Sequence, residues 1–230
     1  MSPKGFFMAL LVGVGVTIAS PAQAGWFGNS QGGADFPQGA ASFADTVISY
    51  TLGIGNVPLA YQGAFNALGV PNYAGNPGCS NQLTCTFCSL GDGGSLVLRF
   101  DDNRLTGSGD NRPDLYIFEV GPAVESTFVD ISMDGVVWYS VGRIAGSTRA
   151  VDIDPFLVSY GLPYWTQFAY VRITDDINER AGTPAGADID AVGAISSVLT
   201  SATVPEPGTL GLMGLGLVGL FLRLRRSRKV

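Results

Sequence analysis

Between residues 40 and 196 no window of ten or more residues keeps a convincing helical period free of Gly and Pro, which removes helix packing from the folds available to this chain. In its place, short runs rich in Val, Ile, Tyr and Phe recur, each bounded by the turn formers Gly, Asp, Asn and Pro. The runs fall at 46–50, 95–100, 115–120, 127–133, 136–141, 150–153 and 168–174, with 189–195 as a closing strand. Asp134-Gly135 predicts the clearest hairpin turn, of type I′, because both residues tolerate positive φ. The pattern predicts an all-β chain folded as an antiparallel β-sandwich or jelly roll. Residues 61–69 offer two helical turns ending at Gly69, or equally a loop.

Both ends of the chain read as addresses. Residues 1–24 have the layout of a secretory signal: Lys4, an apolar stretch from Phe6 to Ala19, and Ala22-Gln23-Ala24 as a small-x-small site. Cutting by signal peptidase between Ala24 and Gly25 would leave residues 25–39, rich in Gly, Asn and Gln, as a flexible lead-in. The domain then occupies 40–196, and 197–204 is a polar spacer before the terminal segment 205–230.

In that terminal segment Pro205 and Pro207 cannot sit inside a helix, so Glu206 is held extended and accessible to an enzyme. From Gly208 to Leu222 there is no charge. A helix there spans about 22 Å, short of the roughly 30 Å of a bilayer core. A transmembrane segment over 208–224 therefore reaches across only by recruiting Pro207, Leu224 and snorkelling arginines. Arg223, Arg225, Arg226, Arg228 and Lys229 form a stop-transfer cluster that leaves the C-terminus cytoplasmic and the body outside. These ordered elements resemble the PEP-CTERM sorting signal. That resemblance implies processing by an exosortase, in Gram-negative bacteria that make exopolysaccharide, a transient hold in the inner membrane, and delivery to the cell surface or beyond. An ordinary anchor helix would be longer and less Gly-rich, and a glycolipid-anchor signal would end apolar.

Removing both addresses sharpens the charge. Of 13 basic and 19 acidic residues, one basic residue lies in the leader, and five basic and one acidic lie in the tail. The body keeps seven Arg and 18 Asp or Glu, with no Lys and no His. Such a surface repels nucleic acid and anionic lipid and suits cations.

The body resembles a set of bacterial cell-surface proteins with a galactose-binding-like or discoidin-like sandwich. The residues that carry this are 67–72, 89–102, 114–121, 132–142 and 186–195. The resemblance implies the fold and leaves the ligand open.

The acidic residues gather around two loops. Asp101, Asp102, Asp110 and Asp114 bracket one, Glu119 lies on the strand after it, and Asp175, Asp176, Asp188 and Asp190 surround the other. If the loops meet at one end of the sandwich, their oxygens would suit calcium, the cofactor this composition favours. Asp188-x-Asp190 places two carboxyls on one face of a strand. The competing reading is that these acids are solvated turn formers. Cys79, Cys85 and Cys88 share one loop, and in an oxidising compartment one pair among them would form a local disulfide.

No catalytic constellation assembles from these residues. The absence of His excludes a Ser or Cys nucleophile with a His base, and no Gly-x-Ser-x-Gly or P-loop is present. Paired carboxylates for glycoside hydrolysis remain open, although acids in turns lack the apolar setting that raises a pKa. Trp138, Tyr139, Tyr160, Tyr164 and Trp165 are either core or a platform for stacking sugars. The expectation is a noncatalytic surface or extracellular-matrix protein that interacts with exopolysaccharide or with surface partners. The alternative is a secreted carbohydrate-active enzyme using two carboxylates.

Overall fold

The computed structural model describes residues 23–75, 79–121, 125–145, 149–179 and 183–200. Residues 1–22 of the leader and the whole terminal segment, with Pro205, Glu206, Pro207 and the terminal cations, lie outside them. In chain order the strands are β1 (Gly25–Asn29), β2 (Gly32–Phe36), β3 (Thr46–Thr51), β4 (Cys88–Ser89), β5 (Ser95–Arg99), β6 (Asn103–Leu105) and β7 (Leu115–Val120). They continue with β8 (Thr127–Ser132), β9 (Tyr139–Ile144), β10 (Arg149–Val151), β11 (Tyr170–Asp175), β12 (Asp188–Ala194) and β13 (Ser197–Leu199). One short helix, α1 (Asp154–Ser159), lies between β10 and β11. Among the described residues no helix is long and apolar enough to cross a membrane.

Every strand pairing is antiparallel. One sheet has the order β3-β5-β11-β8-β9 and another β10-β7-β12-β4, with β1-β2 and β13-β6 as separate pairs. Side chains of the two larger sheets enter a single apolar cluster. Leu96, Leu98, Val129, Ile131, Val171 and Ile173 come from the five-stranded sheet, and Leu115, Ile117, Ile189 and Val192 from the four-stranded one. Alternation explains the choice, because residues two apart on a strand share a face.

The central strands of the four-stranded sheet are buried along their whole length. Their other face is covered too. Tyr116, Phe118 and Ala191 pack there against Phe36 and Phe43, and Val120 packs against Tyr73, Cys85 and Phe87. Removing a ring such as Phe36 or Phe118 from water is worth about 1.5–3 kcal/mol. The segment expected to be a flexible lead-in is therefore the β1-β2 hairpin that roofs the sheet. Its glycines allow close approach: a Cβ on Gly28 would lie 2.2 Å from the Trp26 ring, and one on Gly33 would lie 2.3 Å from the Phe27 carbonyl oxygen.

Other expectations shift locally. The turn after β8 is a loop spanning 133–138, in which Asp134 Oδ1 accepts from the N–H groups of Val136 and Val137, so the next strand starts at Tyr139. Part of the expected spacer is β13, paired with β6. Residues 61–69 form 3-10 turns at Leu59–Tyr61 and Ala64–Ala67. Cys79 and Cys85 form a disulfide, while Cys88 is free and buried within β4, and burial pushes its thiol up to about 12.

Candidate functional site

Strand register divides the acidic residues between opposite ends of the fold. Asp114 precedes β7, whereas Glu119 is near that strand's end, where it pairs with Ile189. Five residues of strand separate them by about 17 Å. In β11, Tyr170 faces Arg99 and Thr174 faces Ser95, so Asp101 lies at one end of β5 and Asp175 at the other. The two loops expected to share one calcium site therefore do not meet. Each end gathers its own acids.

At the first end the loop after β10 returns two carboxyls to Asp114. Asp114 is fully buried, held by its own N–H to the Val151 carbonyl and by its Oδ2, which accepts from the N–H of Ile153 at 3.0 Å. Asp152 and Asp154 flank that Ile153. The Asp154 N–H donates to Asp152 Oδ1 at 3.0 Å, and Pro155 in the first turn of α1 fixes the chain direction. Asp154 Oδ2 in turn accepts from the N–H of Gly109 at 2.6 Å. A Cβ on Gly107 would lie 1.9 Å from Asp154 Oδ1, so only glycine leaves that carboxyl its place.

One oxygen from each of Asp114, Asp152 and Asp154 lies within 4.8 Å of the others. Asp114 Oδ1 and Asp154 Oδ1 are buried without a hydrogen-bond partner. Burial pushes the Asp114 carboxyl up from 3.8 to about 6, and the neighbouring charge of Asp154 adds to the rise. A converging, oxygen-only set with unsatisfied acceptors is a group that could hold a metal ion, and hard cations suit it. Beside it a cavity of about 430 Å³ is lined by Asp110, Asn111, Asp154, Leu157 and Tyr164. Tyr164 meets Trp165 edge-on at 4.8 Å, and Trp165 is 63% exposed.

At the second end Glu119, Glu125, Asp175 and Asp188 are all buried, the most exposed of them, Asp188, at 5%. Asp175 accepts from the N–H groups of Gly93 and Ala187, both at 2.8 Å, and Asp188 accepts from the Ser89 hydroxyl. Burial pushes Glu119 up to about 9, Glu125 to about 7 and Asp188 to about 8, and the charges that add to each rise are other carboxylates. At this end the acids do have the low-dielectric setting that sequence reasoning denied them.

The remaining candidates are engaged elsewhere. Asp101 pairs with Arg99 at 2.5 Å and accepts from the Thr46 hydroxyl at 2.6 Å, and these bonds outweigh its burial and lower its pKa. Asp102 is exposed. Asp110 is held below its usual range by the Arg112 guanidinium, 2.8 Å away. Asp176 is paired with Arg143 at 2.6 Å and is lowered by it. Asp190 accepts from Asn29 at 2.8 Å and from the N–H groups of Asn72 and Tyr73, which anchors the hairpin roof. Asp188 and Asp190 thus serve different partners, across a bulge between Ile189 and Ala191. Ala24 is exposed, and Gly25 is the first residue of β1.

Sequence reasoning did not single out Asp152, Asp154, Asp92 or Glu125. The usable signal was Asp152-x-Asp154 followed by Pro155, a second instance of the spacing seen at Asp188 and Asp190. Of the aromatic residues, Trp138 stacks under the Arg172 guanidinium at 4.4 Å, and Tyr139 packs edge-on against Tyr160 at 5.2 Å. Tyr164 and Trp165 are the pair that face solvent beside the cavity.

A comparison with curated proteins finds no match. Among solved structures the chain is similar to the C-terminal domain of a chitobiase from Bacteroides fragilis, at 11% identity and a TM-score of 0.32. The match covers 47% of this chain and 65% of that one, just under two thirds of its length. Residues 203–226 match the PEP-CTERM protein-sorting motif. The chain therefore carries the mark of an exported protein that an exosortase processes and sorts to the cell surface.

Proposed function

We propose that this is a noncatalytic protein of the cell surface or extracellular matrix, whose β-sandwich body binds exopolysaccharide at the groove beside Asp154. The observation that carries the reading is the PEP-CTERM motif at 203–226, which assigns the body to a compartment outside the cell. A leader cut between Ala24 and Gly25 and a short-lived hold in the inner membrane through 208–224 complete the route.

The groove supports the binding part. A cavity of about 430 Å³ is large enough for a sugar unit or two and combines Tyr164 with the polar Asp110 and Asn111. Aromatic faces pack on the apolar faces of sugars, and carboxylate and amide groups accept or donate to hydroxyls. A calcium ion held by Asp114, Asp152 and Asp154 would brace the 107–111 loop, whose Gly109 N–H is already bonded to Asp154.

Two measurements test the proposal. Intact mass of the mature protein from cells with and without their exosortase should show loss of the tail only when the enzyme is present; an unchanged mass defeats the sorting route. Binding to the producing cell's exopolysaccharide should weaken on chelation and on Trp165→Ala. Turnover of that polysaccharide, abolished by Asp154→Asn, would replace the noncatalytic reading with the enzymatic one.

A further inference from the structure

The loop between β6 and β7 serves two cavities. Its tip, Gly109 to Asn111, lines the groove beside Asp154. Its two feet, Gly107-Ser108 and Arg112-Pro113, line another cavity of about 340 Å³, which Thr106, Ser196 and Ser197 complete. The loop is thus a ridge with a cavity on either flank, and it is tied both within itself and to its base. Asp110 Oδ1 accepts from the Arg112 N–H at 2.8 Å and from the Ser108 hydroxyl at 3.2 Å, and the Arg112 guanidinium pairs with the same carboxyl at 2.8 Å. The Gly107 N–H donates to the Tyr164 carbonyl at 2.8 Å. Across the second cavity the Thr106 N–H donates to the Ser196 carbonyl and the Ser196 N–H to the Asp114 carbonyl, both at 3.0 Å.

The lining of the second cavity is hydroxyl-rich. Thr106, Ser108, Ser196 and Ser197 all border it, beside one guanidinium, and among the described residues no carboxyl does. Ser and Thr hydroxyls both donate and accept, as sugar hydroxyls do. Ser197 Oγ is buried without a hydrogen-bond partner, a state that a polar ligand reaching it would relieve. Arg112 turns Nε and Nη2 to Asp110, which leaves Nη1 to donate to a ligand. From the shared ridge, the hydroxyl lining and the orphaned Ser197 oxygen, we infer that this cavity is a further sugar subsite, and that a chain of neutral sugars lies over the ridge with one part in each cavity.

The inference rests on the glycan-binding reading of the groove and adds to it the length and charge of the ligand. Ligand pockets span about 300–1,000 Å³, and both cavities sit in the lower part of that range, so each holds a short piece of chain. Once one piece is seated, the next is held close to its own cavity, and a chain that fills both binds more tightly than either piece alone. A neutral chain fits best. The Arg112 charge is already balanced by Asp110, and Asp110 and Asp154 at the groove would repel an acidic sugar.

The test uses the full-length chain in a detergent without a sugar head group, titrated by calorimetry with fragments of the producing cell's exopolysaccharide sorted by length. Affinity should rise roughly tenfold from disaccharide to about pentasaccharide and then level off. Ser197→Ala and Thr106→Val each remove one hydroxyl from the second cavity and leave the groove intact. Both should weaken the longer fragments roughly threefold or more and leave the disaccharide unchanged, with melting temperatures confirming that the variants fold. Fragments whose carboxylates have been reduced to alcohols should bind at least as well as untreated ones. If the disaccharide binds as tightly as the longer fragments, or if both variants bind every length as wild type does, the second subsite is overturned while the groove reading stands. If untreated acidic fragments bind better than reduced ones, the neutral ligand is overturned. If no fragment binds, the groove reading and the subsite fall together.

Discussion

The two ends of the body hold similar numbers of carboxyl groups and treat them differently. At the Asp114 end the oxygens converge, backbone N–H groups fix their directions, and Asp154 also lines an open cavity. At the other end Glu119, Glu125, Asp175 and Asp188 are all buried, and the charges of neighbouring carboxylates add to the rise that burial causes. The contrast teaches that acidity alone does not define a site. What matters is whether the backbone has already aimed the oxygens, and whether water or a ligand can reach them.

The largest expected effect separates the ends by pH in metal-free protein. A carboxyl whose folded pKa is raised favours folding most below its unfolded pKa, and that advantage is lost as pH climbs through the folded value. For Glu119 the loss runs from 4.5 to about 9 and for Asp188 from 3.8 to about 8, whereas Asp114 contributes only between 3.8 and about 6. Stripped protein should therefore melt markedly lower at pH 9 than at pH 5. Glu119→Gln should flatten the upper part of that curve and Asp114→Asn only the lower part. A flat curve in the unaltered protein would remove the contrast altogether.

Next in size is the effect of calcium at neutral pH. Saturation at a hundredfold excess over Kd stabilises by about 2.7 kcal/mol per site. For a domain of this size that raises the melting temperature by about 5–10 °C. Equal shifts in Asp154→Asn and in wild type would show that the triad holds no ion.

A smaller effect follows from Gly107→Ala, whose methyl must displace Asp154 Oδ1. Overpacking costs about 1–3 kcal/mol. Calcium affinity of the triad should fall, and a variant that binds calcium as wild type does would remove Asp154 Oδ1 from the proposed ligands. The smallest effect is that of Trp165→Ala. Its stability should stay within about 0.5 kcal/mol, and glycan affinity should drop roughly threefold to tenfold. Unchanged glycan affinity would move the binding surface away from this groove.

Much of the strand pattern was legible because alternation is a local signal. Leu115–Val120 was readable to the residue, and β3, β5, β8, β11 and β12 to within two. The hairpin Gly25–Phe36 was not, because its glycines resemble a linker until Phe36 and Phe43 are seen to share a cluster with Phe118. Short elements such as β6, β13 and α1 carry too few residues to show a period. The acids were visible as acids. Which of them meet was not, because that depends on sheet register: Asp114 and Glu119 are five residues apart in sequence and belong to different ends, while Ser89 and Asp188 share a hydrogen bond across 99 residues.

The hairpin roof carries a consequence for the order of assembly. If the chain crosses the membrane from its N-terminal end, the aromatic residues of the roof arrive first, yet the surface that receives them includes Ala191 and Gly193, near the end of the domain. During export the leading segment must wait, with Phe27 and Phe36 uncovered, until almost the whole body has followed. A chain stopped before Ala191 should therefore be cut by protease within residues 25–36, and one extended to Leu199 should resist. The first part of the body to arrive is the last to find its place.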